Sequence, residues 1–179
     1  SFFVSDIANL LFGSVVSAAE ERLAQLGFTL VVANTRNESL REAELLSLLR
    51  ERTVEGAIIS FGEESRPGLG AELRRIGLPV VVLDRVPPKG IDAVLVDHRR
   101  GTSDAADYLI GLGHRRIGLL TASGQIRPGM ERIAGLRDAY AAAGLDFRDC
   151  TIRTDCGTAN AAFAETMTML AGPDRPTAL

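Results

Sequence analysis

Two cysteines, two histidines and a single lysine stand in a chain of 179 residues, and these scarcities narrow its chemistry before any motif is read. Cys150 and Cys156 are too few and too closely spaced for a disulfide framework or a zinc site. Two unpaired thiols in a reducing cytosol are expected instead. His98 and His114 fall in no metal-ligand spacing, and a lone histidine beside a helix start reads as a cap or surface residue before it reads as a catalyst. No apolar run reaches the roughly 20 residues that a membrane helix needs. The opening Ser1-Phe2-Phe3-Val4-Ser5 has neither the basic n-region nor the apolar core of a signal peptide, and it reads as starting within a strand. Excess positive charge is missing too. With a formal net charge of −3, this segment is not expected to grip nucleic acid, because neutralising phosphates takes a cationic surface. Enzyme motifs are equally scarce. Gly68-Leu69-Gly70-Ala71-Glu72 lacks the Lys-Ser/Thr of a phosphate loop, Gly111-Leu112-Gly113 closes a helix where a dinucleotide fingerprint would open one, and no Gly-x-Ser-x-Gly elbow occurs.

What is present is globular: 46% hydrophobic and 24% charged residues, with a length that fits one ordinary domain or two small lobes. Short, β-branched runs, apolar on both faces, recur at Phe28–Ala33, Ala57–Ser60, Pro79–Leu83, Ala93–Val96 and Ile117–Leu120. Strands of that kind belong in a parallel sheet covered by helices. Between them lie stretches with a 3.6-residue stripe: Val16, Ala19, Leu23 and Leu26 in one, Ile133, Leu136, Tyr140 and Ala143 in another. Ser39-Leu40-Arg41-Glu42 has the spacing of a capping box. Gly27, Gly77, Gly113 and Gly144 each follow a helical stretch and precede an apolar run. Pro87-Pro88-Lys89-Gly90 marks a turn between two strands. Strand, helix, glycine, strand is the order of an α/β fold. A boundary near Gly111–His114 divides the chain into residues 1–112 and 113–179.

In open α/β sheets, ligands bind beyond the carboxyl ends of the strands. Those ends carry Ser5-Asp6, Asn34-Thr35, Ser60, Asp84-Arg85 and Asp97-His98. Short carboxylates, an amide and an arginine converging on one edge suit a polyol or a heterocycle, which needs fixed donors and acceptors in an otherwise apolar wall. Asp6, Asp84 and Asp97 also have the placement of helix N-caps, and they are the carboxylates that could pair as acid and base in an enzyme. Binding without chemistry is the reading these residues favour.

Longer strings carry a resemblance. Val4-Ser5-Asp6-Ile7-Ala8-Asn9-Leu10-Leu11-Phe12, the helix-to-strand passage Leu48–Ile59, Gly77–Arg85, Val94–Asp97, Leu112-Gly113-His114-Arg115-Arg116-Ile117-Gly118, Arg132-Ile133-Ala134-Gly135-Leu136 and Arg175–Leu179 follow one another at natural spacing. Together they resemble the effector-sensing domain of lactose-repressor-family (LacI/GalR) transcription regulators. The resemblance implies a two-lobed fold similar to the periplasmic binding proteins, each lobe a parallel sheet flanked by helices, with an effector in the cleft between lobes. It also implies an N-terminal helix-turn-helix for operator DNA and about a hundred further C-terminal residues, so the second lobe is expected to be incomplete here. A homodimer, a cytoplasmic location, a sugar-like effector, no membrane and no cofactor are the partners and setting that follow. Carried across position by position, Asp6, Asn9 and Phe12 would line the first-lobe wall, with Phe12 equally placed to be core. Asn34, Ser60, Asp84 and Asp97 would reach the ligand, and Arg85 would brace a loop or join them. Arg132 would grip hydroxyls or a carboxylate with its planar fork. The chain departs from the family where His98 replaces the usual asparagine and where the turn Asp155–Thr158 carries no aromatic. A periplasmic sugar-binding protein of a transporter is the alternative sharing this fold; an α/β enzyme on a sugar or nucleoside and a plain dimerisation module are further rivals.

Overall fold

The computed structural model describes residues 1–179 except Asn37, Arg52, Thr53 and Ser65; the Arg52-Thr53 part of the Leu48–Ile59 passage therefore lies outside the described residues. The elements run β1 Phe2–Val4, α1 Leu10–Gln25, β2 Val32–Asn34, α2 Ser39–Arg50, β3 Ala57–Ile59, α3 Leu69–Ile76, β4 Val80–Leu83 and β5 Asp92–Val94. They continue with α4 His98–Gly111, β6 Gly118–Leu120, α5 Arg127–Ala142, a 3₁₀ turn at Phe147–Asp149, β7 Thr151–Arg153 and α6 Ala159–Ala171. The contacts group them into two units, Ser1–Leu95 and Val96–Leu179.

In the first unit five strands pair in the order β2-β1-β3-β4-β5, every neighbour parallel. Successive strand residues face opposite sides, and here both sides are apolar. Phe3, Ile59 and Val82 face one way, into a core with Leu46 and Leu49 of α2 and Leu69, Leu73 and Ile76 of α3. Phe2, Val4 and Ile58 face the other way, onto Phe12, Val15, Val16 and Ala19 of α1. Burying each of these large side chains contributes about 1.5–3 kcal/mol, so a sheet covered on both faces is the stable arrangement for strands this apolar. The helices stop where glycine reverses the backbone: Gly27 and Gly77 follow α1 and α3 at φ of 82° and 71°, a conformation that costs a residue without Cβ nothing.

The capping box at Ser39–Glu42 does not form. Helix α2 takes Glu38 as its N-cap, with no side-chain cap bond. Glu42 instead turns inward, 3% exposed, and accepts the Gly62 N–H at 2.5 Å. A distant backbone donor has outcompeted the local one.

The second unit holds the parallel pair β6-β7 and a bridge from Ile117 to Ala178. Its core is Ala106, Ile117, Leu136, Ala139 and Tyr140. The Tyr140 hydroxyl donates to the Arg115 carbonyl at 2.6 Å and accepts the Ile117 N–H at 3.2 Å. Burial pushes its pKa well above the ordinary phenol value. Helices α4 and α5 cross so closely that a Cβ on Gly135 would stand 2.1 Å from the Arg99 carbonyl oxygen. That contact gives the glycine of the Arg132–Leu136 string its physical reason. It also explains why α4 groups with the second unit, where the sequence expectation had divided the chain after Leu112: Ala106 shares the core of Leu136 and Tyr140.

Candidate functional site

All five strands of the first unit point the same way, so their carboxyl ends form one edge. Strand order reverses direction at β1 and β3: from β1 the chain steps outward to β2, then returns past β1 to β3. The crevice at such a reversal is where α/β sheets take ligands. Ser5 and Asp6 follow β1 there, and Ser60 and Phe61 follow β3, with Asn34-Thr35 and Asp84-Arg85 on either side.

The expected residues occupy this edge in different ways. Asp6 is half-buried and accepts the Ala8 N–H at 3.0 Å. The cap of α1 is Asn9, exposed, whose Oδ1 accepts the Leu11 N–H at 3.0 Å. Phe12 packs with Phe2 and Val4 at 8% exposure, so it belongs to the core, the other of its two sequence readings. Asn34 accepts the Arg36 N–H at 3.2 Å. Ser60 is fully buried, and among the described residues its hydroxyl has no hydrogen-bond partner. A buried polar group without a partner costs about 1–3 kcal/mol, and such an orphan at a crevice calls for a ligand or an ordered water. Asp84 is 9% exposed and holds φ at 52°.

Backbone strain marks two of these strand ends and one strand end in the second unit. Among the described residues, Arg36, Asp84 and Asp155 are the non-glycine residues at positive φ, at 57°, 52° and 63°, and they follow β2, β4 and β7. Conformations of this kind cost on the order of 1 kcal/mol or more each and gather at binding sites, where surrounding structure holds them.

Asp97 and Arg132 belong to the second unit. Asp97 caps α4, its Oδ1 accepting the Arg100 N–H at 3.0 Å; of the three aspartates read as possible caps it alone fills that role. Arg132, on α5, is half-buried and makes no hydrogen bond or ion pair among the described residues. Sequence reading missed Thr121. It follows β6 as Ser60 follows β3, is 4% exposed, and its hydroxyl likewise lacks a partner among the described residues; its place directly after the Ile117–Leu120 run was the available signal. Arg85 is a brace. Its guanidinium is buried, and it donates to the carbonyls of Phe61 and Asp84. Desolvation lowers its pKa, with Glu64 and Asp84 opposing that shift.

A cavity of about 280 Å³ opens at the opposite, amino-terminal edge of the first sheet, lined by Leu23, Phe28, Leu30, Ala57, Ile58 and Val81 among others. Its wall is apolar and offers a polyol few fixed donors or acceptors, so size alone does not make it the better site. Among the described residues no group of three His, Cys, Asp or Glu side chains could hold a metal ion, and no helix is long and apolar enough to cross a membrane. Cys150 and Cys156 are free thiols.

The chain is 30% identical over 150 residues to the HTH-type transcriptional regulator DegA of Bacillus subtilis, covering 82% of this chain and 44% of that protein. It is 27% identical over 177 residues to the HTH-type transcriptional repressor PurR of Photobacterium profundum, covering 98% and 53%. It therefore spans about half the length of the curated relatives it matches. Among solved structures, a LacI family regulator from Enterococcus faecium with bound ribose superposes with a TM-score of 0.85 at 26% identity, over 99% of this chain and 65% of that one. One from Lactobacillus casei with bound glucose superposes at 0.81 and 25% identity, over 98% and 66%. The profile of periplasmic binding proteins and the sugar-binding domain of the LacI family matches residues 3–179, and the chain belongs to that family.

Proposed function

We propose that this chain is the effector-sensing region of a DNA-binding transcription regulator, and that it takes a small, hydroxyl-rich molecule of the sugar class at the carboxyl edge of the first-unit sheet. The observation that carries the reading is the buried, partnerless Ser60 hydroxyl at the β1/β3 reversal, flanked by Asp6, Asn34 and Asp84. In the second unit the same reading assigns Asp97, Thr121 and Arg132 to the effector; the planar fork of Arg132 suits vicinal hydroxyls or a carboxylate, which such forks take bidentately. Asn9 contributes to the wall through its backbone-capping turn, and Phe12 supports it from the core.

The regulator acts in the cytoplasm as a homodimer on operator DNA, through a helix-turn-helix elsewhere in the protein, and it binds its effector without chemical change. Regulator relatives favour this over a transporter's periplasmic sugar-binding protein. Effector must bind one state of the regulator better than the other, since only differential affinity shifts an equilibrium. Each of the two units, Ser1–Leu95 and Val96–Leu179, would then contribute residues to sensing.

A thermal-shift screen of D-ribose, D-glucose, sucrose and nucleobases against the protein tests the reading. A binder at a hundredfold over its Kd adds about 2.7 kcal/mol of stability. The stabilisation is expected for a sugar and is expected to shrink in Arg132→Ala. A full set of sugars and nucleobases that leaves the melting temperature unmoved would refute the reading.

A further inference from the structure

Arg85 makes more bonds than a loop brace needs. It is 4% exposed, and its donors reach three chain segments. Nε donates to the Phe61 carbonyl after β3. Nη1 donates to the Asp84 carbonyl after β4 at 2.9 Å. Nη2 lies 3.5 Å from the Ser5 hydroxyl after β1. The guanidinium thus ties together three strand ends that surround the reversal point, and two carboxylates hold the segment after β3 as well. Glu42 of α2 accepts the Gly62 N–H at 2.5 Å. Glu64 lies 4.0 Å from Arg85, both side chains 5% exposed, and accepts the Val86 N–H at 2.5 Å.

The bonds of these two side chains fall close to the residues assigned to the effector: Arg85 bonds Phe61, next to Ser60, Ser5, next to Asp6, and the Asp84 carbonyl, while Glu42 bonds Gly62, two residues beyond Ser60. Phe61 and Gly62 follow Ser60; Asp84 precedes Arg85 in a left-handed conformation, φ 52°, that needs external support. A buried guanidinium also carries a desolvation cost that is offset only by full hydrogen bonding. A structural link between strands could be made from apolar side chains at lower cost, whereas charged forks fix direction.

We infer that Arg85 and Glu42 are positioning residues: with Glu64 they form a clamp that sets the orientation of Ser60 and Asp84, and so decides how tightly the first-unit wall recognises its effector. This rests on the sensing role proposed above, but its first test is free of any ligand.

Amide hydrogen exchange on the full-length protein reads the clamp directly. Arg85→Met, which keeps the apolar stem and removes the fork, is expected to speed exchange at the Gly62 and Val86 amides at least tenfold. The sheet amides of Ser60 and Ala57, which donate to the Phe3 and Pro79 carbonyls, are expected to keep their protection. Glu42→Ala is expected to speed Gly62 and spare Val86; it also serves as the test if Arg85→Met does not fold. Unchanged exchange at Gly62, or acceleration spread evenly over the sheet, would overturn the clamp.

The second arm asks whether the clamp acts through Ser60. Titration calorimetry with D-ribose on Arg85→Lys, Ser60→Ala and the double variant forms a thermodynamic cycle. Arg85→Lys alone is expected to weaken D-ribose about tenfold, and to have little further effect in the Ser60→Ala background. Fully multiplicative losses would make Arg85 an ordinary stabilising residue and defeat the inference. An unaltered protein that ignores D-ribose counts against ribose as effector, while the exchange result still decides the clamp.

Discussion

Replacing Gly135 with alanine places a methyl carbon 2.1 Å from the Arg99 carbonyl oxygen and 3.1 Å from the Ser103 amide nitrogen. Both neighbours are backbone atoms of α4, so no side-chain rotation relieves the clash. Ordinary contact needs more than an ångström of additional separation between α4 and α5. That movement would loosen Leu136, Ala139 and Tyr140 from Ala106, the centre of the second-unit core. Overpacking of a well-fitted core costs about 1–3 kcal/mol and at times more; a backbone-on-backbone clash belongs at the upper end. Alanine returns about 1 kcal/mol through its better helix propensity, leaving a net loss of roughly 2 kcal/mol. Gly101→Ala is the matched control. It lies in α4 as well, its Cβ would meet nothing within 4 Å, and the propensity gain of about 0.5–1 kcal/mol stands alone. Urea unfolding followed by circular dichroism should therefore move the two midpoints in opposite directions. A Gly135→Ala midpoint at or above that of the unaltered protein would refute the packing argument, whatever the control does.

Two further perturbations probe the first unit. Ser60→Ala removes a buried hydroxyl that has no partner, so stability is expected to hold or rise by about 1 kcal/mol while sugar affinity falls; a clear drop in melting temperature without ligand would mean the hydroxyl is already satisfied. Burial raises the Glu42 pKa above its ordinary 4.5, against the opposing pull of the Gly62 amide, Arg66 and Arg85. A carboxyl with a raised folded pKa contributes stability that is complete below the unfolded value and is lost as pH rises through the folded one. The stability of Glu42→Gln relative to the unaltered protein is thus expected to climb as pH rises from about 4.5 through the raised value and then level off, which chemical denaturation across that range would show; a flat or falling difference contradicts it.

Much of this arrangement could be read without coordinates because it is written locally. Runs such as Pro79–Leu83, apolar at every position, have no solvent face to offer, and the strands they form are covered on both sides. Gly27 and Gly77 ended helices as expected because only the residue itself decides whether φ of 82° or 71° is affordable. The strand ends likewise announced Asp6, Asn34, Ser60 and Asp84, since polar residues immediately after apolar runs need no tertiary knowledge to notice.

What escaped was long-range. Nothing near Glu42 says that it will abandon Ser39 for a Gly62 amide twenty residues away, and the capping box failed for that reason. The strand Thr151–Arg153 is too short and too polar to stand out, and it exists because β6 supplies a partner. Phe12 at a helix start could serve wall or core equally well, and only packing against Phe2 and Val4 decided it. The division between units fell at Leu95 and Val96 because α4 is held by Gly135 and its neighbours, a contact between residues more than thirty positions apart.

Where a sugar lands on the first unit can be measured outright by a chemical-shift titration of the isotope-labelled protein with the strongest binder from the screen. The amides of Asp6, Thr35, Ser60, Phe61 and Asp84, at the carboxyl edge, are expected to move together and to saturate with one affinity. Shifts confined to Phe28, Thr29, Gly56 and Ala57, around the apolar cavity at the amino edge, would contradict the assignment.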